Sequence, residues 1–210
     1  GRYYLVLSVV SWLSLLGTMG IGRSLVKRIS EGTDTGNYLS AGATLISGFF
    51  LALFILLFVF RGTLIEYIGV PALGFVIVLL GVGLANSFVD AALQGQRLFH
   101  IYSLQKPVRR AIRTVTQVGA VIVGFELTGL IAGYAFGGIV AILIGLIFLS
   151  INIELPQQKQ LKSLVNYAKF AWLGQLKSET FNKADVLILG AFVVPSLVGI
   201  YSIAWNIAGF

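Results

Sequence analysis

The sequence predicts an all-α fold, a polytopic transmembrane helix bundle of about six complete helices and the start of a seventh, and three observations predict it. First, the 210 residues are 57% hydrophobic and only 11% charged, against about 25% charged in a soluble domain, so polar side chains are too few to cover a soluble surface. Second, the apolar residues are gathered into runs: residues 3–22, 35–60, 67–89 and 127–153 contain no Asp, Glu, Lys, Arg or His. Each run reaches or exceeds the roughly 20 residues that cross about 30 Å of hydrocarbon. Third, the runs are long and separate. Backbone polar groups in lipid must be satisfied internally, which makes such runs helices rather than barrel strands.

Taken in order, the first segment covers residues 2–22 and closes with the glycine-rich stretch Gly17-Thr-Met-Gly20-Ile-Gly22. The second covers 36–60. The third covers 71–94 and opens on Pro71, a residue suited to a first helical turn. The fourth covers 105–126, with arginines in its first turns and an apolar remainder. A short turn at 126–129 leads to the fifth, 129–151. After Leu155-Pro156 and a polar linker comes the sixth, 163–193, whose roughly 31 residues would measure about 46 Å as one helix. It must tilt, break, or begin as a surface segment. Pro195 marks the next turn, and a seventh segment starts near Val198. The sequence opens on Gly1 without methionine and stops at Phe210 within an apolar run, so it is expected to be an internal piece of a longer protein.

The net charge is +7, which in this setting is read by location rather than as a nucleic-acid signal. Alternate connections hold Arg23, Lys27 and Arg28, then Arg97, Lys106, Arg109, Arg110 and Arg113, then Lys159, Lys162 and Lys169; the opposite side holds Arg2 and Arg61. By the positive-inside rule the richer side is cytoplasmic. The expected location is therefore the cell membrane, plasma or inner, in a multi-pass arrangement. Gly1-x-Tyr3 and Gly199-x-Tyr201 each open an apolar helix on the external side. Six segments separate them, which restores the orientation, so they read as parallel repeats, with chance as the rival.

No phosphate-binding loop, zinc-protease or nucleophile-elbow pattern occurs, and eight acids leave few candidates for paired-carboxylate chemistry. No enzyme is expected. The chain has no cysteine and a single histidine, His100, read as a solvated loop residue; no metal or cofactor site is expected. The strongest signal is charge at membrane depth. Lys177, Glu179, Lys183 and Asp185 lie in the sixth segment, and Glu179 and Lys183 are four apart on one face. Such charges face a cavity or the bundle interior, unless that part of the helix is interfacial. Asp90 is either a pathway acid or a solvated helix end. Arg23 and Lys27, also four apart, either anchor the topology or present two cations to an anionic head group. The cluster Arg109, Arg110, Arg113 is read as a leaflet anchor in preference to a substrate site. Gly129, Gly133, Gly137, Ala141 and Gly145 recur every four residues as a smooth packing ridge.

Several stretches carry a resemblance: Leu161-Lys-Ser-Leu-Val-Asn-Tyr-Ala-Lys-Phe-Ala-Trp, Asn182-Lys-Ala-Asp185-Val-Leu-Ile-Leu-Gly190, Val198-Gly-Ile-Tyr-Ser-Ile-Ala-Trp, Gly20-x-x-x-Ser24-Leu-Val-Lys-Arg-Ile, and Gln94-Gly-Gln-Arg97-Leu-Phe-His-Ile-Tyr-Ser103. Together they resemble the polysaccharide/oligosaccharide flippases of the multidrug/oligosaccharidyl-lipid/polysaccharide exporter superfamily. The resemblance implies a two-lobe transporter of twelve to fourteen helices around a central cavity. Residues 1–155 would end the N-terminal lobe as its helices two to six. Residues 156–210 would be a linker with helix seven and part of eight of the C-terminal lobe. It implies transport of a lipid-linked saccharide with a phosphate or diphosphate head from the cytoplasmic to the outer leaflet. The expected partners are that lipid and the bilayer, with glycan-assembly proteins left open and nucleic acid excluded. On this reading Arg23, Lys27, Lys177 and Lys183 attract the head group, while Asp90, Glu179 and Asp185 hold those cations or couple an ion. The alternatives are a cation-coupled small-molecule antiporter of the same superfamily, a non-transporting scaffold for glycan assembly, and a membrane-embedded glycosyltransferase.

Overall fold

The structure, a computed structural model, describes residues 1–150 and 154–208, and leaves the side chains of 175–185, 187 and 206–208 outside that description. Among the described residues there are nine helices and no strand: α1 (Arg2–Thr18), α2 (Ile21–Ser30), α3 (Thr35–Val59), α4 (Arg61–Ile68), α5 (Leu73–Gly95), α6 (Phe99–Ile122), α7 (Leu127–Phe148), α8 (Gln158–Phe192) and α9 (Pro195–Ala208). Each of the seven segments expected from the sequence falls on a helix. Helices α3, α5 and α7 are long and apolar enough to cross a membrane, and the bent pair α1–α2 makes a fourth if counted as one span. The chain is a multi-pass helical membrane protein.

The first segment does not stop at its glycine-rich end. Met19 (φ 37°) and Gly20 (φ 78°) are both left-handed, and the chain bends by 47° and continues as α2. Gly20 is required twice over. Its φ favours glycine, and a Cβ there would lie 2.5 Å from the carbonyl oxygen of Ala168. Helix α2 then buries Ile21, Ser24, Leu25 and Ile29, a helical stripe. The Ser24 hydroxyl donates to the Leu164 carbonyl at 2.9 Å, fixing α2 to α8.

Helix α8 is unbroken for 35 residues, about 52 Å, and runs antiparallel to α1–α2. Its first turns pack on Ser24, and Gly190 near its other end lies against Leu5 and Tyr67. The start of α8 and the residues before it are clasped to the α2–α3 turn and the first turn of α3. Asn37 donates to Glu154, Gln160 donates to Asp34 at 3.2 Å, and the Tyr38 hydroxyl donates to Ser163 at 3.5 Å.

Helices α6 and α7 form an antiparallel pair built on the small-residue ridge. Gly129, Gly133, Gly137, Ala141 and Gly145 are all buried. A Cβ on Gly137 would lie 2.9 Å from the Arg109 carbonyl oxygen and 3.1 Å from the Arg113 nitrogen, so α6 lies backbone to backbone on the ridge. Buried Gln105 donates to the Ala141 carbonyl at 2.5 Å, and Gln117 donates to the Leu130 carbonyl at 2.6 Å and to the Tyr3 hydroxyl at 2.8 Å. Several boundaries differ from expectation: α6 ends at Ile122, α8 opens at Gln158 and α9 at Pro195. Helix α5 opens at Leu73, with Pro71 in the turn before it; α6 opens at Phe99, so exposed His100 is in its first turn rather than in a loop.

Candidate functional cavity

A cavity of about 1680 Å³ opens between these helices. Helical periodicity decides which side chains reach it. From α1 come Ser11, Ser14 and Thr18, and from α2 Arg23; from α5 come Asn86, Asp90 and Gln94. These positions recur every three or four residues and share one face of each helix. The richest wall is α6, which contributes Lys106, Arg109, Arg110 and Arg113 at the same spacing. Among the described residues that line the cavity, Asp90 is the only acid against five basic side chains.

Three of the five cations have partners that position them in the wall. Arg109 Nη1 donates to Asn86 Oδ1 at 2.9 Å, and Arg109 Nη2 stands 3.8 Å from Asp90 Oδ2. The side chains of Arg109 and Asp90 are 30% and 20% exposed. Asn86 is itself pinned, donating to the Val82 carbonyl at 2.8 Å and the Gly138 carbonyl at 3.2 Å, so it ties α5 to α6 and α7. The Arg113 guanidinium lies over the Tyr134 ring at 4.8 Å, and Lys106 Nζ over the Tyr102 ring at 4.4 Å. Ring faces attract a cation without neutralising it.

A basic, water-accessible pocket walled by membrane helices can hold an anion that could not enter lipid alone. The pattern of the polysaccharide biosynthesis protein family matches residues 1–210, the whole length of the chain. The chain belongs to that family. It is 25% identical over 210 residues to "Probable flippase AglR" and 27% identical over 213 residues to "Probable low-salt glycan biosynthesis flippase Agl15", both of Haloferax volcanii. Each match covers 99% of this chain and 44% of the relative, so the chain spans less than half the length of these relatives. No solved structure matches it. The family expected from the sequence is therefore the one found.

The expected site residues divide three ways. Arg23 and Asp90 line the cavity. Lys27 does not: its Nζ sits over the Tyr167 ring at 4.5 Å, in the contact between α2 and α8. Lys177, Glu179, Lys183 and Asp185 lie on α8, but their side chains fall outside the described residues. Arg109, Arg110 and Arg113, expected as a leaflet anchor, line the cavity wall. Their signal was present in the sequence. Lys106, Arg109 or Arg110, Arg113 and Gln117 continue one polar stripe, which a surface cluster has no need to do. Among the described residues, no group of three or more His, Asp or Glu side chains is arranged to hold a metal.

Proposed function

We propose that this chain forms part of the cargo pathway of a flippase that moves a lipid-linked saccharide, headed by phosphate or diphosphate, from the cytoplasmic to the outer leaflet. The observation that carries the reading is the wall of Arg23, Lys106, Arg109, Arg110 and Arg113 around a cavity of about 1680 Å³. Guanidinium groups suit phosphate oxygens because they offer paired, charge-assisted N–H donors. Serine and threonine hydroxyls on α1 and amides on α5 supply the neutral hydrogen bonding that sugar hydroxyls use. Both Haloferax volcanii relatives are named probable flippases, one of them in low-salt glycan biosynthesis, which supports transport in glycan assembly rather than catalysis. The positive-inside rule puts the basic connections, and with them the first turns of α6, on the cytoplasmic side, where such a cargo would load. An antiporter for cationic small molecules would need an acidic wall, and the described lining is basic.

The test deletes and restores the complete reading frame in its own host and quantifies lipid-linked saccharide on each membrane face. Accumulation on the cytoplasmic face, reversed by the restored gene, is the expected result. An unchanged distribution with intact surface glycan would overturn the reading and favour a scaffold or antiporter role.

A further inference from the structure

The environment of Asp90 does not fit a residue that builds the cavity. Arg109 is held by Asn86 at hydrogen-bond distance, 2.9 Å, and Asn86 is buried and anchored by two backbone carbonyls of its own. That arrangement positions the guanidinium without help from a carboxylate. Asp90, one turn further along α5, comes to 3.8 Å of Arg109, inside ion-pair range and beyond hydrogen-bond length. Its carboxylate is thus near but loosely engaged, and it is the only acid among the described residues of a wall with five cations. A phosphate monoanion or dianion approaching Arg109 offers shorter, charge-assisted hydrogen bonds and would displace it.

Transport sets two demands on such a wall. Binding must be favourable enough for cargo to enter and weak enough for it to leave. We propose that Asp90 is an internal counter-anion that competes with the cargo's phosphate for Arg109, and so sets how readily cargo is released. This rests on the reading of the cavity as a path for an anionic cargo. When the site is empty, Asp90 offsets part of the charge of Arg109. When cargo arrives, the phosphate takes Arg109, and Asp90, now beside another anion, weakens the complex. Asn86 keeps the guanidinium in place through both states. The wall then has a holding residue and a releasing residue on the same face of α5, four positions apart.

The experiment uses the product of the complete reading frame in lipid nanodiscs, with farnesyl diphosphate as a soluble probe of polyprenyl diphosphate chemistry. D90N is expected to tighten the Kd about tenfold, and in proteoliposome flipping assays to lower KM and kcat together. D90E, which keeps the charge, should reverse most of the gain, and D90N/R109Q should abolish it. D90S, which removes the charge with a smaller side chain, is read beside D90N so that a folding failure of one variant does not decide the result. A Kd for D90N and D90S that stays within twofold of wild type, or weakens, overturns the proposal while leaving the anionic-cargo reading standing. A wild type that binds no farnesyl diphosphate overturns that reading, and this inference with it.

Discussion

Replacing Gly20 by alanine should destabilise the protein by about 2–4 kcal/mol, and two nearby glycines separate the causes. Gly20 has φ +78°, where a side chain costs about 1–2 kcal/mol. The added Cβ would also stand 2.5 Å from the Ala168 carbonyl oxygen and 2.8 Å from the Trp172 nitrogen. Those are backbone atoms that no rotamer change can move aside, so α8 must shift off α2, at a further cost of about 1–2 kcal/mol. Gly32 shares φ +78° and has nothing within 4 Å, so Gly32→Ala isolates the backbone cost alone. Gly22 lies within α2, and its Cβ would meet only Ala91 at 3.8 Å. Gly22→Ala should therefore be neutral or stabilise by about 0.5–1 kcal/mol through helix propensity. The assay is thermal unfolding in detergent, followed by tryptophan fluorescence. At about 2–4 °C per kcal/mol for a chain of this size, Gly20→Ala should lower Tm by about 4–16 °C, and Gly32→Ala by about 2–8 °C. If Gly20→Ala falls no further than Gly32→Ala, the close approach of α2 and α8 is not what demands glycine at that position.

The cavity reading makes further predictions. Arg109→Gln with Arg113→Gln removes two charges, each worth up to about 3 kcal/mol to an anion some 6 Å away at an effective dielectric near 20, so farnesyl diphosphate binding should weaken at least about tenfold. Its salt dependence should also flatten; an unchanged Kd would remove both residues from the site. Lys27→Gln, outside the cavity, should leave flipping within about twofold, and a tenfold loss would return Lys27 to the cargo path. Lys177→Gln with Lys183→Gln should cut transport without loss of membrane expression, and full transport would sink their role. Asn86→Leu should cost about 1.5–3 kcal/mol, because it deletes the acceptor for a charged donor; unfolding curves that overlay wild type would contradict this. Gly137→Val should push α6 from α7 and lower both Tm and probe binding, and retention of both would argue that the ridge tolerates a wider spacing.

Span positions were legible because hydrophobic run length depends only on local sequence. What escaped depended on neighbours distant along the chain. A local reading of the first segment expects a stop at its glycines. The bend at Met19 and Gly20 is instead fixed by the α8 backbone at Ala168 and Trp172, which no local signal reveals. Helix α4 leaves no span signal because Arg61–Ile68 is eight residues long and charged. The early start of α6 is not legible because the polar stretch around His100 reads as a loop. Of the residues that line the cavity, Arg23 and Asp90 are legible in the sequence as charges that end a span. Lys27 was carried along by its spacing from Arg23, and Tyr167 claims it for the α2–α8 contact. The three arginines of α6 were seen as a cluster, but the direction they face is a property of the α6–α7 pair.

That pair explains how so much charge is accommodated on one helix of the bundle. Facing hydrocarbon, four cations would cost at least about 10 kcal/mol on insertion scales. They face a cavity instead, with Tyr102 and Tyr134 under two of them and Asn86 beside a third. Nor can the helix easily rotate them elsewhere. The α6 backbone from Arg109 to Arg113 rests on Gly137, and Gln105 and Gln117 bond to α7 carbonyls on either side of that point. Any roll of α6 would break those bonds and leave buried amides and carbonyls unpaired, at about 1–3 kcal/mol each. The glycines of α7 touch no cargo in this reading. By allowing backbone contact at one register, they determine where Arg109 and Arg113 stand, and with that how the wall meets an anion.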